Sequence, residues 1–441
     1  MAASRTSRWS SWRWCRGLVL LASVSYFGLL RVSQRGASGA PRPVVIAWLG
    51  VSGILEEVKE TLTVELTIRT AGNRLSLRPE ELWFDLGRKQ ERRQSEEAAA
   101  RSYERVLEAD PRHHLANLNL ALLVAKRRDG GALRHAEKLF RTALEGDANS
   151  PGALWNLGLL LAHQGLDEGA AKLREGIQAA AKLGWSPRRL AMVLPLTRDG
   201  VSDYQEELQS EAVAFEGFCT ESPALASTPE LQRALPAALS DIRGLPEDPA
   251  WLVTWGVETA QLFGPQPRGA SYGETLFASW RSVVARPAVA SLLESARYEG
   301  GPVAFQAVVL GSALGYQCLF FRAVGIRCLG YDLLERSMVG VANAVVRKHG
   351  VEGVEFNTGD ALTAPLPSET SLLWLNDEVW PSSLRQAVLR RAAEELCPGG
   401  VVVSYGPEGG EPPKGLRLVE TFSVRTSWAL AEVIRILRRE P

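Results

Sequence analysis

From residue 307 to residue 406 the chain alternates short apolar runs with helical patterns, and most runs end at a glycine or a polar residue. AVVL (307–310), RCLGYD (327–332), VEFNTGD (354–360), SLLWLND (371–377) and VVVSYG (401–406) read as buried strands. Helical patterns intervene, for example LRQAVLRRAAEEL (384–396). Apolar strands separated by helices predict an α/β, doubly wound, mostly parallel sheet. In such a sheet ligands bind outside the carboxyl ends of the strands, near the point where strand order reverses. The residues at those ends suit that use. Gly311 and Gly315 follow the first strand and let backbone approach a ligand at a helix start. Asp332 ends the second strand, where a carboxylate can hold two ribose hydroxyls, and Asp360 ends the third, where an adenine amino group needs an acceptor. Asn376 and Asp377 end the fourth strand, opposite the first, and CPGG before the fifth is a turn.

A repeat occupies the middle of the chain. Trp83, Leu86, Gly87, Ala99, Tyr103, Val106 and Pro111 match the tetratricopeptide pattern at nearly every marked position. A second copy carries Leu118, Ala121 and Leu122, then Ala136, Phe140 and Ala143, its helices shifted in phase by the turn RRDGG (127–131). A third carries Leu154, Leu157, Gly158, Ala170 and Ile177. Small residues let the two helices of a copy pack closely, and larger ones fill the groove against the next copy. The expectation is an all-α tetratricopeptide solenoid over 80–190 offering a surface for a protein partner. An ordinary helical bundle is the alternative. Residues 191–264, with PEDPAWLVTWG and GPQPRG, read as a partly packed connector in which prolines break any long helix. Residues 265–441 read as the sheet domain.

Charge divides the chain in the same way. The 50 basic and 50 acidic side chains cancel, yet residues 1–55 hold seven arginines and no acid. Those arginines flank the apolar run GLVLLASVSYFGLL (17–30). As a helix it spans about 21 Å, short of a bilayer core of about 30 Å. It fits the apolar part of a signal peptide, an Arg- and Ser-rich organellar transit peptide, or a tilted signal anchor; an amphipathic start to the folded part is the remaining reading. The expectation is a membrane-anchored or organelle-targeted chain rather than a nuclear one. Five cysteines far apart, without CxxC pairs, argue against a disulfide framework and against a zinc site, and no metal is expected.

The glycine loop, GYD, GD, the polar end of the fourth strand and CPGGVVVS together resemble the class I S-adenosylmethionine-dependent methyltransferases. SYGETLF (271–277), upstream of the first strand, is similar to the YGET-type loop of the disruptor-of-telomeric-silencing family, the non-SET histone lysine methyltransferases. That family's DLGSGVG matches VLGSALG here at four positions, and the resemblance covers about 270–406. It implies S-adenosyl-L-methionine as cofactor, with Tyr272, Glu274, Gly311, Ser312 and Gly315 along the methionine end and backbone. It further implies Asp332 at the ribose, Asp360 at the adenine, and Asn376 near both the methionine end and the acceptor, as the catalytic position. Trp380 reads either as a wall of the acceptor channel or as plain packing. Two positions depart from the family: Val309 replaces an acid, and Ala313 replaces the middle glycine of the loop.

The resemblance implies a methyltransferase directed at protein, at lysine in that family, with the repeats recruiting the substrate. The alternative is a tetratricopeptide adaptor whose methyltransferase-like domain is degenerate or only binds cofactor. A dinucleotide oxidoreductase also places an acid about twenty residues after a glycine loop, but GSALG lacks the GxGxxG spacing and YGET has no role there. Residues 265–441 carry 18 basic and 18 acidic side chains and no polybasic tail, so nucleic acid is not the expected partner.

Overall fold

The computed structural model describes residues 60–61, 63–64, 78–187, 190, 201–221, 228–265, 275–298, 306–378, 380–406, 411–426 and 431–441, with backbone alone at 201–208, 295–298 and 306. The arginine-rich start, with its apolar run 17–30, lies outside the described residues. Among the described residues no helix is long and apolar enough to cross a membrane.

The chain divides into two compact units, one ending at Ala109 and one covering Asp110–Pro441. The first contains the antiparallel pair α1 (Pro79–Arg92) and α2 (Glu96–Ala109). Pro79 opens α1, where a missing N–H costs nothing because a helix start has no acceptor for it. Gly87 lies under the ring of Tyr103, close enough that a Cβ there would stand 2.6 Å from Cε1. Trp83, Leu86, Ala99, Tyr103 and Val106 are buried between the helices.

The second unit begins with two more helix pairs. These are α3 (His114–Ala125) with α4 (Gly130–Gly146), and α5 (Pro151–His163) with α6 (Glu168–Lys182). His113 Nδ1 accepts from the Ala116 amide at 3.2 Å, and Asp129 Oδ1 accepts from the Ala132 amide at 2.8 Å, so each of α3 and α4 begins at a side-chain cap. Gly158, Gly169 and Gly176 let α5 and α6 touch along their length.

The stretch expected as a connector carries three helices: α7 (Val201–Glu221), α8 (Pro229–Gly244) and α9 (Pro249–Phe263). Pro229 and Pro249 start helices instead of breaking them, because each sits in the first turn after a capping side chain, Thr228 or Asp248. The stretch is also part of the core. Phe215 of α7 meets Phe277 at 5.0 Å and Phe320 at 5.1 Å between ring centres, edge to face.

After α10 (Phe277–Val284) and α11 (Pro287–Tyr298) the sheet begins. Its strands are β1 (Gln306–Leu310), β2 (Arg327–Asp332), β3 (Val354–Thr358), β4 (Thr370–Leu375), β5 (Val401–Tyr405), β6 (Leu416–Val424) and β7 (Glu432–Arg439). They lie in the order β3-β2-β1-β4-β5-β7-β6. The first five are parallel, and β7 runs antiparallel between β5 and β6. Connections are α12 (Tyr316–Ala323), a π-helical turn (Glu335–Gly340) leading into α13 (Val341–Lys348), and α14 (Ser382–Glu395). Along β1, Ala307 and Val309 join one buried cluster and Val308 and Leu310 the other, so the sheet is covered on both faces. The five expected strands are present; the β6–β7 hairpin is additional.

One expectation is corrected. Cys318 and Cys328 form a disulfide between α12 and β2. The crossover from β1 to β2 folds α12 over the sheet, which brings side chains ten positions apart to 5.2 Å between Cα atoms without any local motif.

Candidate functional site

Strand order reverses between β1 and β4, and the crevice at their carboxyl ends is where the expected residues gather. The loop leaving β1 holds three left-handed residues: Gly311 (φ 72°), Ala313 (φ 48°) and Gly315 (φ 86°). Glycine is indispensable at 315, where a Cβ would overlap the Phe356 ring. Ala313 takes the same kind of conformation with a side chain, at a cost of about 1–2 kcal/mol. The loop is fastened to β2, the amides of Gly311 and Ser312 donating to the Tyr331 carbonyl at 2.8 and 2.9 Å. Ser312 is buried, and its Oγ has no hydrogen-bond partner and faces Gly330.

On the β2–β3 side, the half-buried Asp332 carboxylate accepts from the Ala313 amide at 2.9 Å through Oδ2 and from the Leu334 amide at 3.0 Å through Oδ1. Burial raises its carboxyl above the ordinary range, and these backbone bonds oppose the rise. The carboxylate keeps acceptor capacity for a further donor. The Gly359 amide donates to the Asp332 carbonyl at 3.0 Å, which brings the exposed Asp360 alongside. Asp360 Oδ1 caps the turn at Leu362 (2.8 Å), and Arg391 holds the same turn through the Ala361 and Ala364 carbonyls. Leu333 and Leu362, one and two residues beyond these acids, expose 40% and 41% of their surface. Two carboxylates with exposed aliphatic neighbours fit a sugar and a flat base.

On the β1–β4 side, Asn376 Nδ2 donates to the Gly311 carbonyl at 2.7 Å, while its Oδ1 accepts from Gln317 Nε2 at 3.1 Å. Gln317 Nε2 also donates to Thr275 Oγ1 at 3.0 Å, and Thr275 in turn bonds the Tyr405 hydroxyl. A continuous line of hydrogen bonds thus runs from Thr275, the last residue of the YGET segment, to the glycine loop and the end of β4. Tyr272 and Glu274 lie outside the described residues. Trp380 flanks the loop, its Cζ2 3.4 Å from where a Cβ on Gly311 would stand, and it packs against the apolar cluster beneath β4. Val309 is buried in β1.

Beyond Asn376 the buried Asp377 accepts from Ser404 Oγ (2.6 Å) and the Tyr405 amide (2.7 Å), and Arg385 Nε lies 3.0 Å away. Burial outweighs these partners and pushes its carboxyl up to about 6. Glu378 is pushed up to about 7, by burial first and then by the neighbouring Glu432 carboxyl.

The structure therefore brings Asp332 and Asp360 together on one side of the glycine loop and Asn376 on the other. Sequence reasoning missed Gln317, Thr275 and Tyr405. Gln317 alone left a local sign, as a polar residue inside the apolar run following the loop.

No family model matches the chain, and no curated protein matches it by sequence. Among solved structures it is similar to an RNA methyltransferase from Salinibacter ruber in complex with S-adenosyl-L-homocysteine (25% identity, 35% of this chain and 92% of that one, TM-score 0.26). It is also similar to magnesium protoporphyrin IX methyltransferase from Synechocystis PCC 6803 with bound SAM (15% identity, 39% and 88% coverage, TM-score 0.28). TrmN from Thermus thermophilus is a third (17% identity, TM-score 0.30); 39% of this chain and 52% of that one are covered. The fold assignment rests on strand order and direction: a parallel 3-2-1-4-5 sheet extended by an antiparallel hairpin fits the α/β class I methyltransferase fold.

Proposed function

We propose that the chain is an S-adenosylmethionine-dependent methyltransferase acting on protein, with lysine as the acceptor, and that the helix pairs of 80–190 form a tetratricopeptide module that recruits or orients the substrate. The observation that carries the reading is the line Thr275–Gln317–Asn376–Gly311, which joins the YGET segment, the glycine loop and the β4 end at the switch point. When bound, the cofactor supplies an electrophilic sulfonium methyl. Asp332 accepts the ribose hydroxyls, Asp360 accepts from the adenine amino group, and Leu333 and Leu362 cover the base. Asn376 acts by position: its amide nitrogen fixes Gly311, and its Oδ1 keeps one lone pair beyond the bond from Gln317. No covalent nucleophile is required, since orientation and exclusion of water supply the rate. The basic, apolar start fits a membrane-anchored or organelle-targeted protein.

A specific observation favours the adaptor as second reading: Ala313 stores strain where the family has glycine, and Val309 leaves no acid before the loop. Calorimetric titration of the full chain with S-adenosylmethionine decides between them. Saturable binding, weakened at least about tenfold by Asp332→Ala through loss of charge-assisted bonds, supports the enzyme. Absence of binding overturns it in favour of the adaptor. Transfer of a labelled methyl group into lysate protein, rather than nucleic acid or small molecules, tests the acceptor class.

A further inference from the structure

Glu258 is the one charged residue of the mostly apolar α9 and is buried, an arrangement that is costly unless its charge is answered. Among the described residues its ion pair is to the exposed Arg336 side chain, stretched to 4.0 Å. The carboxylate accepts from the backbone amides of Arg336 and Ser337, both at 2.9 Å, and from Ser337 Oγ at 2.7 Å. These amides open the helical turn that follows Asp332, where the chain has no local acceptor: Leu334 precedes the turn and its side chain makes no cap. Glu258 therefore caps that turn from another helix. Trp251, seven residues earlier and so on the same face of α9, donates Nε1 to the Ser337 carbonyl at 2.7 Å. The amide, hydroxyl and carbonyl of Ser337 are all held by α9.

The grip passes on to the site. The Leu334 carbonyl accepts from Met338 and Val339, while its amide donates to Asp332 Oδ1, and Asp332 Oδ2 holds the Ala313 amide of the glycine loop. We infer that Glu258 is a positioning residue for cofactor binding: by fixing residues 334–337 it sets the Asp332 carboxylate and, through Ala313, the glycine loop. The inference rests on the reading of Asp332 as the ribose acceptor.

The test is calorimetric titration of the full-length chain with S-adenosylhomocysteine, comparing wild type with Glu258→Gln. The variant keeps the size of the side chain but turns an amide donor toward backbone donors. A positioning role raises Kd about tenfold with stoichiometry unchanged. In the ligand-free protein it also speeds hydrogen exchange at the Leu334 and Ala313 amides. In an Asp332→Asn background Glu258→Gln adds no further loss, because both act through one group. A cap with only a structural role lowers the stoichiometry and leaves Kd unchanged; that result, or additive losses in the double variant, overturns the inference. Should Glu258→Gln not fold, Ser337→Ala removes the hydroxyl contact alone, and an unchanged Kd there also overturns it. Failure of the wild type to bind overturns the inference together with the functional reading, and is distinguished by preceding any comparison of variants.

Discussion

Gly330→Ala in β2 tests the packing beneath the glycine loop, and its sign separates local propensity from tertiary fit. Glycine inside a strand is about 0.5–1 kcal/mol worse than alanine, so propensity alone makes the substitution stabilising. The structure reverses this. A Cβ at 330 would stand 2.5 Å from Phe356 Cδ1 and 2.8 Å from both Cβ and Oγ of Ser312, against ordinary contacts of about 3.5–4.0 Å. The methyl group needs about 1 Å of clearance on each side. Neither neighbour is a loose end: Phe356 and Ser312 are both buried, and the Ser312 amide is tied to Tyr331. Overpacking of this size costs about 1–3 kcal/mol, so the middle of the range leaves a net loss of about 1 kcal/mol once the propensity gain is subtracted. Denaturant unfolding followed by the fluorescence of the buried Trp280 and Trp374 measures it. Ser312→Gly removes both atoms on one side, so the double variant recovers about 1 kcal/mol relative to additivity. A Gly330→Ala protein as stable as wild type, or strictly additive losses, would refute the reasoning.

Two further outcomes are expected. Burial holds Asp377 and Glu378 up at about 6 and about 7, against about 3.9 and 4.3 in an unfolded chain. The folded state binds the extra protons, so the stability these groups contribute is complete below about pH 4 and is lost as pH rises through 6 and 7. Melting temperatures across pH 5–8 check this, with Glu378→Gln flattening the decline; a slope identical to wild type refutes it. The Cys318–Cys328 disulfide closes a short loop between α12 and β2, and its reduction costs about 2–3 kcal/mol. Unfolding with and without reductant measures the loss, and mass spectrometry must show both cysteines alkylated only after reduction.

The sheet was legible because parallel strands covered on both faces are written as unbroken apolar runs, and VVL in β1 or LLWL in β4 admit few other readings. The hairpin escaped notice because β6 lies at the sheet edge: LRLVETFSV is largely exposed, and its pairing slips between Leu418 and Glu420. Asp332, Asp360 and Asn376 were readable because topology alone puts strand ends at the crevice. Gln317 and Thr275 were not, since their roles depend on partners 42, 59 and 130 residues away. The same distinction governs Ser312. Its place in the motif was visible, whereas its orientation is set by the Tyr331 carbonyl and by the space at Gly330.

The stretch 201–263 shows most plainly how composition can mislead. Proline-rich spacing suggested a connector, yet α9 is apolar almost all round, and a helix of that kind has to be buried. It is buried by having two partners. One face carries Gly256, whose missing side chain lets α9 lie against Trp155, Leu159 and Leu173 of the helix pair α5–α6; the Ala260 carbonyl adds a 3.0 Å contact with His163 Nδ1. The other face carries Trp251 and Glu258, which hold Ser337. Substituting Gly256 would press on the helix pair, and truncating Glu258 would release the turn after Asp332, although both residues lie on the same rigid element. Glu258, which caps the turn after Asp332, thus precedes residue 265, on a helix whose opposite face packs against the α5–α6 pair. A sheet domain beginning at residue 265 would lack the carboxylate that caps the turn after its second strand.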